Sequence, residues 1–322
     1  MKTKLCNKRV NKSLTVLCAA VTMLGLTTSS VLAVDVSDED YKTLQAHKKK
    51  QADKQLPPQK RPAPAEPGSP QKGNQHGSLA EAATNPLANL VQFELQNKYA
   101  WDSHNSSGYA NTFVIQPVIP FNLPFKRMPA LITRTTLPYV STPDLDGGIG
   151  RKDGFGDISA QGYFIPKLKA KGQMLGLGYN LTIPTAGDND FVGSGKWSLG
   201  PGAVYFNMNT PTWQWGFLSY SSFSFASANS DRGSVSNVAI QPILVKHFDK
   251  GWYVGSPDVP QTYDFMTDNW TLAIGPKVGK VMKLGEQPVN LFGQVTWNPL
   301  DNDDQVSSEW TFKVSLTYLF PQ

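Results

Sequence analysis

The sequence predicts an all-β protein: a transmembrane, antiparallel, up-and-down β-barrel of about 12 strands, preceded by a disordered N-terminal arm. Three observations predict this fold. Short segments alternate between apolar and polar residues, the connections between them alternate between long and short, and all eight tryptophans fall near segment ends. After the N-terminal segment no run of about 18 apolar residues occurs, so membrane-spanning helices are not predicted.

The final segment, 310–320, shows the alternation most clearly. One face carries Trp310, Phe312, Val314, Leu316, Tyr318 and Phe320, and the other carries Thr311, Lys313, Ser315, Thr317 and Leu319. A strand presents successive side chains to opposite faces of its sheet. A long aromatic face backed by a polar face with a lysine is typical of a sheet that has lipid outside and water inside.

Residues 1–33 have the composition of a secretory signal peptide. The basic residues Lys2, Lys4, Lys8, Arg9 and Lys12 precede an apolar run from Leu14 to Leu26. This run is shorter than the ~20 residues that a membrane anchor needs, so we expect cleavage after Ala33. Lipidation at Cys18 is disfavoured, because Leu17 stands where a small residue is required.

Cleavage at this site would change both the cysteine count and the charge of the chain. Cys6 and Cys18 are the two cysteines, and both lie in the segment removed. The mature chain would therefore form no disulfide and perform no thiol catalysis. Five of the 30 basic residues and none of the 25 acidic residues would be lost, leaving a neutral chain. Such a charge gives no indication of a nucleic-acid partner.

Residues 34–84 are predicted to be a disordered, Lys/Pro-rich periplasmic linker. Ser37 has the character of a helix N-cap, but only Tyr41 and Leu44 are apolar in the stretch that follows it. The region after that is rich in Pro, Gln, Lys and Gly and cannot bury a core. The linker is either a solvated spacer or an arm that contacts the cell wall or another partner.

Residues 85–322 are predicted to form the outer-membrane barrel. Strands are expected near 90–100, 110–120, 129–139, 155–165, 173–183, 197–207, 212–225, 235–247, 251–262, 269–281, 288–298 and 309–320. The odd-numbered connections are long or polar and rich in aspartate, whereas the even-numbered ones are generally shorter and carry lysine. Long extracellular loops and short periplasmic turns are typical of these barrels.

The tryptophans predict two interfacial girdles, because their amphipathic rings favour the boundary between membrane and water. Trp101, Trp197, Trp270, Trp297 and Trp310 are expected at outer strand ends, and Trp213, Trp215 and Trp252 at inner ends. Prolines interrupt this regular picture. Pro117, Pro138, Pro201, Pro242 and Pro276 fall within predicted strands, where they cannot donate to a ladder, so bulges or shifted strand ends are expected.

Several stretches together resemble a known family. They are 85–90 (NPLANL), 116–121 (QPVIPF), 134–138 (RTTLP), 154–158 (GFGDI), 183–186 (IPTA), 193–201 (GSGKWSLGP), 250–253 (KGWY), 287–291 (QPVNL) and 319–321 (LFP). The chain is similar in these stretches to outer-membrane transporter barrels labelled "neuromedin U"-like or MetA-pathway-of-phenol-degradation-like. The resemblance implies a membrane barrel and a channel, without a substrate. The last strand, with Tyr318 and Phe320, also looks like the aromatic signal that outer-membrane insertion machinery recognises.

The leading functional hypothesis is a channel that passes small solutes by passive diffusion. The polar strand faces place Glu94, Lys98, Arg134, Asp157, Lys277 and Lys313 in the lumen, where charges tune selectivity. Closure of the barrel would bring Glu94, Lys98 and Lys313 together at the seam. Twelve strands enclose a lumen between that of a filled eight-stranded barrel and that of a porin. Alternatively, these charges brace a plugged lumen.

Two other functions remain open on the sequence. An outer-membrane lipid enzyme needs a histidine beside its nucleophile, but neither His104 nor His247 has an obvious serine and carboxylate nearby. A structural envelope protein would bridge lipopolysaccharide through its acidic loops while its arm holds the cell wall. Asp301, Asp303 and Asp304 lack the glycine and terminal glutamate of a calcium-binding EF-hand loop. We therefore expect no metal and no cofactor. The expected surroundings are the lipids and lipopolysaccharide of a Gram-negative outer membrane, and the solute is left open.

Overall fold

A computed structural model describes residues 79–321, apart from 145–149, 187–190, 211, 229–231 and 302–306. The predicted signal peptide, 1–33, and most of the predicted linker lie outside the described residues. The last six residues of that linker form helix α1 (Leu79–Thr84). The prediction of disorder is therefore wrong at this end of the linker.

The remainder of the described chain is almost entirely β-structure. The strands are β1 (Leu90–His104), β2 (Ala110–Asn122), β3 (Ala130–Ser141), β4 (Asp153–Phe155), β5 (Ile158–Ile165), β6 (Gln173–Ile183), β7 (Lys196–Asn207), β8 (Trp213–Ser227), β9 (Ser236–His247), β10 (Trp252–Gly255), β11 (Gln261–Asp264), β12 (Asn269–Thr271), β13 (Lys277–Leu284), β14 (Gln287–Trp297) and β15 (Ser307–Pro321). One 3-10 turn, Asp249–Gly251, precedes β10.

The strands close into a ring. Once the fragments of each interrupted strand are counted as one strand, every strand pairs with its neighbours along the chain. β1 pairs with β15 in antiparallel register, with Lys98 opposite Lys313, and β9 pairs with both β10 and β11. Three barrel strands are interrupted, and consist of β4 with β5, β10 with β11, and β12 with β13. Within the described residues the result is a closed antiparallel barrel of twelve strands, which confirms the predicted fold.

Alternation along the strands separates an apolar outer face from the interior. In β15, Lys313, Ser315 and Thr317 are at most 2% exposed, whereas Phe312 and Val314 are 42% and 38% exposed. All eight tryptophans are among the exposed large side chains. The residues that a soluble protein would bury therefore lie outside, as lipid contact requires.

The two ends of the barrel differ in their connections. One end, called the loop end below, has connections 105–109, 142–152, 184–195, 228–235, 265–268 and 298–306, and the other, the turn end, has 123–129, 166–172, 208–212, 248–251 and 285–286. Four of the six at the loop end are longer than any at the turn end. The five tryptophans expected at outer strand ends lie toward the loop end, and the other three lie at the turn end. Trp101, Trp310 and Trp297 stack at the loop end, with ring centroids 5.9 and 6.1 Å apart.

Interruptions of two predicted strands bring backbone out of the ladder. Residues 256–260 separate β10 from β11, and 272–276 separate β12 from β13. Opposite the first interruption, the Ser256 hydroxyl donates to the Pro242 carbonyl oxygen at 2.8 Å. The expectation of bulges at prolines is wrong for Pro117 and Pro201, which stay in register with both neighbouring strands. It is confirmed for Pro138 and Pro242, because each lies opposite an interruption across which the register of the neighbouring strand shifts by one residue. Pro276 lies directly before β13, which begins at Lys277, so this proline matches the expectation of a shifted strand end.

The interior at the turn end is apolar and is filled by the chain that precedes β1. Leu87 is 1% exposed and packs in a buried cluster with inward side chains that include Val118, Ile132, Val204 and Phe292. Sequence alternation predicts a polar interior along the whole barrel. The interior is apolar here because it is a packed core around Leu87 rather than a water-filled space.

Gly178 in β6 is a position where the barrel wall admits no side chain. A Cβ built on Gly178 would lie 1.7 Å from the carbonyl oxygen of Gly162 in the neighbouring strand. Overpacking typically costs about 1–3 kcal/mol, and here backbone must move. We therefore expect Gly178→Ala to lower the free energy of unfolding by roughly 3 kcal/mol, measured by urea titration in lipid vesicles. Gly233→Ala is the control, because its Cβ would meet nothing within 4 Å; equal stability of the two variants would contradict the prediction.

Candidate functional site

Polar side chains line the interior between the apolar turn end and the loops. Gln96 on β1 donates to Gln116 on the neighbouring β2 at 2.9 Å, and Asn180 on β6 donates across β7 to the Ser222 hydroxyl on β8 at 2.9 Å. All four of these side chains are buried from bulk solvent. Buried polar groups are tolerated when they are hydrogen-bonded, so these pairs keep the lumen wall ordered and hydrophilic.

Two cavities follow one another along the lumen. The upper cavity, toward the loop end, has a volume of about 370 Å³, and the lower cavity, beside α1, about 70 Å³. Four residues line both cavities and so mark the constriction between them: Arg134, Leu218, Gln241 and Asp258. A solute crossing the barrel would have to pass these side chains.

Three lysines form one cross-strand row beside this constriction. Lys98 on β1 lies opposite Lys313 on β15, Lys313 lies opposite Gln294 on β14, and Gln294 lies opposite Lys277 on β13. Like charges directly opposite one another in a sheet are destabilising. Lys277 and Lys313 both lie over the Phe292 ring, with Nζ 5.3 Å from its centroid in each case. A negative charge close to this row would offset the repulsion between the lysines.

Asp258, in the interrupting segment 256–260, supplies that negative charge. Lys313 Nζ donates to the Asp258 carboxylate at 2.6 Å and to its backbone oxygen at 3.1 Å. Gln241 Nε2 donates to the other carboxylate oxygen at 2.7 Å, and the Asp258 amide donates to Gln294 Oε1 at 2.8 Å. The segment thus leaves the barrel wall to place a carboxylate among the lysines.

Five of the six predicted lumenal charges lie at this constriction or next to it. Lys98, Arg134 and Lys313 line the upper cavity, and Glu94, Arg134 and Lys277 line the lower one. Glu94 accepts a hydrogen bond from the Ser315 hydroxyl at 2.8 Å across the seam between β1 and β15, where Lys98 lies opposite Lys313. The meeting of Glu94 with both lysines stays a prediction. These five residues and Asp258 are called the constriction cluster below.

Asp157, the sixth predicted charge, lies apart from the constriction cluster. Its carboxylate accepts bonds from the Ser194 amide at 2.6 Å, the Ser194 hydroxyl at 2.7 Å and the Ala186 amide at 3.2 Å. These contacts hold the 184–195 connection at the loop end. Its assignment as a pore-lining residue remains a prediction.

Asp258 is the functional residue that sequence reasoning missed. A continuous strand is predicted from the sequence near 251–262, with Ser256-Pro257-Asp258-Val259-Pro260 in its interior. Two prolines within five residues argue against a continuous strand, because neither can donate to a ladder. That signal indicates the interruption, but it does not indicate that Asp258 meets Lys313, which is 55 residues away.

The chain preceding β1 borders the lower cavity from the turn end. The residues 83–86 line that cavity, and the Thr84 hydroxyl donates to Gln214 Oε1 at 2.6 Å. Asn85 is 4% exposed, and its amide contacts the sulfur atoms of Met174 at 3.2 Å and Met208 at 3.5 Å. We call residues 79–89 the plug segment. It is not predicted from the sequence, which places residues 79–84 in the linker and 85–89 in the barrel domain ahead of the first strand.

The two described barrel histidines have structural partners. The His104 ring contacts the Asn298 carbonyl oxygen at 3.1 Å, and His247 contacts Gln214 Oε1 at 3.0 Å and the Thr84 hydroxyl at 3.3 Å. His104 Nδ1 lies 3.9 Å from the Asp301 carboxylate, so the expectation that no carboxylate lies near this histidine is wrong. Among the described residues no serine hydroxyl lies within hydrogen-bond distance of either ring.

Searches for other kinds of site cover the same described residues. No three His, Cys, Asp or Glu side chains in this part of the chain are grouped closely enough to hold a metal ion. No helix in it has the length and apolar character needed to cross a membrane.

Comparison with solved structures places this architecture among known barrels. An outer membrane channel from Pseudomonas putida F1 is 15% identical and superimposes with a TM-score of 0.53, covering 74% of this chain and 98% of that one. The chain has the fold of an outer-membrane β-barrel. No protein-family model matches it, and no curated protein is similar in sequence.

Two further solved barrels superimpose on this outer-membrane barrel less closely. Outer membrane phospholipase A from Escherichia coli is 12% identical, with a TM-score of 0.41 over 75% of this chain and 95% of that one. A mutant of the TodX monoaromatic hydrocarbon channel is 10% identical, with a TM-score of 0.36 over 74% of this chain and 91% of that one.

Proposed function

We propose that this barrel is a passive channel for small polar solutes in the outer membrane of a Gram-negative bacterium. The observation that carries the proposal is the upper cavity of about 370 Å³, enclosed by a ring of twelve strands and lined largely by hydrogen-bonding side chains. Such a volume is large enough to hold several water molecules. A purely structural barrel has no need of a hydrated space of this size.

The constriction cluster is the selective part of the proposed path. Charged side chains at a narrowing tune which ions and solutes pass, and here Arg134 and Asp258 border both cavities. In outer-membrane barrels the long loops lie outside and the short turns in the periplasm. The plug segment would then lie on the periplasmic side, close to the predicted linker.

Reversing charge at the constriction is expected to change conduction. Arg134→Glu and Lys313→Glu each place a carboxylate beside Asp258, so we expect single-channel conductance and ion selectivity to change several-fold in planar bilayers. Lys283→Glu is the matched control, because Lys283 is exposed at the turn end and makes the same change of charge outside the cavities. Absence of any conductance from the wild-type protein would defeat the proposal. Equal conductance and selectivity in all variants would remove the constriction cluster from the path.

Contacts of the histidines favour a channel over a lipid enzyme. Nucleophilic hydrolysis needs a base within hydrogen-bond reach of its nucleophile, whereas His247 contacts the plug segment and His104 a loop carbonyl oxygen. We expect purified protein to release no fatty acid from phospholipid vesicles. Release that is lost in His104→Ala would establish the enzyme instead.

A further inference from the structure

We propose that the constriction is a binding site for the carboxylate of a small organic anion, and that Asp258 is its internal occupant, displaced as the solute passes. This inference rests on the proposed channel function and specifies the class of solute. A neutral chain with a polar lumen predicts no preference between anions and cations. The preference follows from how the charges are arranged around the constriction.

The lumenal charges described in the structure are predominantly positive. The two cavities are lined by four cationic side chains, Lys98, Arg134, Lys277 and Lys313, and by two anionic ones, Glu94 and Asp258. Both carboxylates are already engaged, Glu94 by Ser315 and Asp258 by Lys313. Among the described residues no carboxylate lies within 4 Å of Lys98, Arg134 or Lys277. An entering anion therefore meets cations whose charge is not neutralised by a contacting carboxylate.

The contacts of Asp258 show that this place accommodates a carboxylate. One of its oxygens accepts from the Lys313 ammonium at 2.6 Å and the other from the Gln241 amide at 2.7 Å. Charge-assisted bonds of this length are the strong ones in proteins. A solute carboxylate at the same donors would reproduce both bonds, so displacing Asp258 would cost little in hydrogen bonding.

Gln294 provides an independent indication of a missing acceptor. Its side chain is 3% exposed, and its Oε1 is occupied by the Asp258 amide, yet its Nε2 has no hydrogen-bond partner among the described residues. Gln294 lies between Lys277 and Lys313 in the cross-strand row. Leaving a buried donor unsatisfied costs about 1–3 kcal/mol. Gln294 lines neither cavity, so an acceptor on a solute, or on its hydration water, would satisfy Nε2 once Asp258 has been displaced.

The experiment compares solutes that differ in one carboxylate. In proteoliposome swelling we expect glucuronate to enter at least threefold faster than glucose, which has the same ring and nearly the same size. In planar bilayers with a potassium chloride gradient, we expect the reversal potential to show a preference for chloride.

Variants assign this preference to the row of lysines. We expect Lys98→Gln and Lys277→Gln each to bring the chloride-to-potassium permeability ratio toward 1, and Asp258→Asn to raise it at least threefold, while Lys283→Gln leaves it unchanged. A failure of Asp258→Asn to fold leaves the lysine variants to decide. A lysine variant with the wild-type ratio would overturn the inference.

The outcomes separate this inference from the channel proposal. A conducting wild-type channel that prefers potassium, or admits glucose as fast as glucuronate, would overturn the inference and leave the channel standing. A wild-type protein that does not conduct would defeat the channel, and calorimetric titration of the detergent-solubilised barrel with glucuronate would then test the site directly. Absence of binding that depends on Lys98 would overturn the site as well.

Discussion

Tethering Thr84 to Gln214 is expected to reduce conductance at least tenfold. The two side chains are in contact at 2.6 Å and join the plug segment to the start of β8. A solute that leaves the lower cavity toward the turn end has to pass the plug segment, which lines that cavity. Passive diffusion therefore requires residues 79–89 to move, and a covalent link prevents this movement.

The predicted mature chain contains no cysteine, so two cysteines introduced by substitution would be the only thiols that a reagent can link. Thr84→Cys and Gln214→Cys are combined and joined by a short, reducible bifunctional thiol reagent, so one protein is recorded before linking, after linking and after reduction. Each single-cysteine variant treated with the reagent is the control for modification alone. Conductance that stays the same after complete linking would mean that solutes bypass the plug segment.

Asp258→Asn is expected to be the most destabilising polar substitution in the lumen. Breaking a buried ion pair by removing one partner costs about 3–5 kcal/mol. Here the substitution would remove the ion-pair partner of Lys313, which is 2% exposed. Glu94 would then be the one carboxylate left in the constriction cluster beside Lys98, Lys277 and Lys313. We expect a loss of about 3 kcal/mol in the free energy of unfolding.

Lys313→Gln should cost less than Asp258→Asn, because Lys98 and Lys277 still surround the remaining carboxylate. Urea titration of the two variants and of the double variant in lipid vesicles tests this order. The double variant is expected to be more stable than the sum of the single losses implies, since neither charge is left alone. Additive losses, or a greater loss in Lys313→Gln, would show that the pair does not act as the counter-charge of the lysine row.

Strand positions and faces were predictable because they depend on local periodicity. In β15 the predicted outward residues Phe312 and Val314 are exposed, and the predicted inward residue Lys313 is buried. Closure of the ring follows from the need to pair every strand edge in a membrane. It brings Lys98 opposite Lys313, as the predicted meeting of first and last strands requires.

Local periodicity contains no information about what fills the interior. Residues 79–84 are predicted to belong to the linker and 85–89 to the barrel domain ahead of its first strand. Leu87 acquires its role only by packing against side chains from many strands. Asp258 is predicted to lie within a strand. Its place in the lumen depends on its hydrogen bond with Lys313, which is 55 residues away in the chain.

Alternation along a strand and the positions of the tryptophans are local properties of the chain, so a barrel with apolar residues outward and charged residues inward could be predicted from them. Only the folded barrel shows where the lumen narrows, which carboxylate pairs with Lys313 and which segment fills the turn end. Those features arise from contacts between residues far apart in sequence. The repulsion between the three lysines of the cross-strand row exists only after the ring has closed and brought their strands side by side.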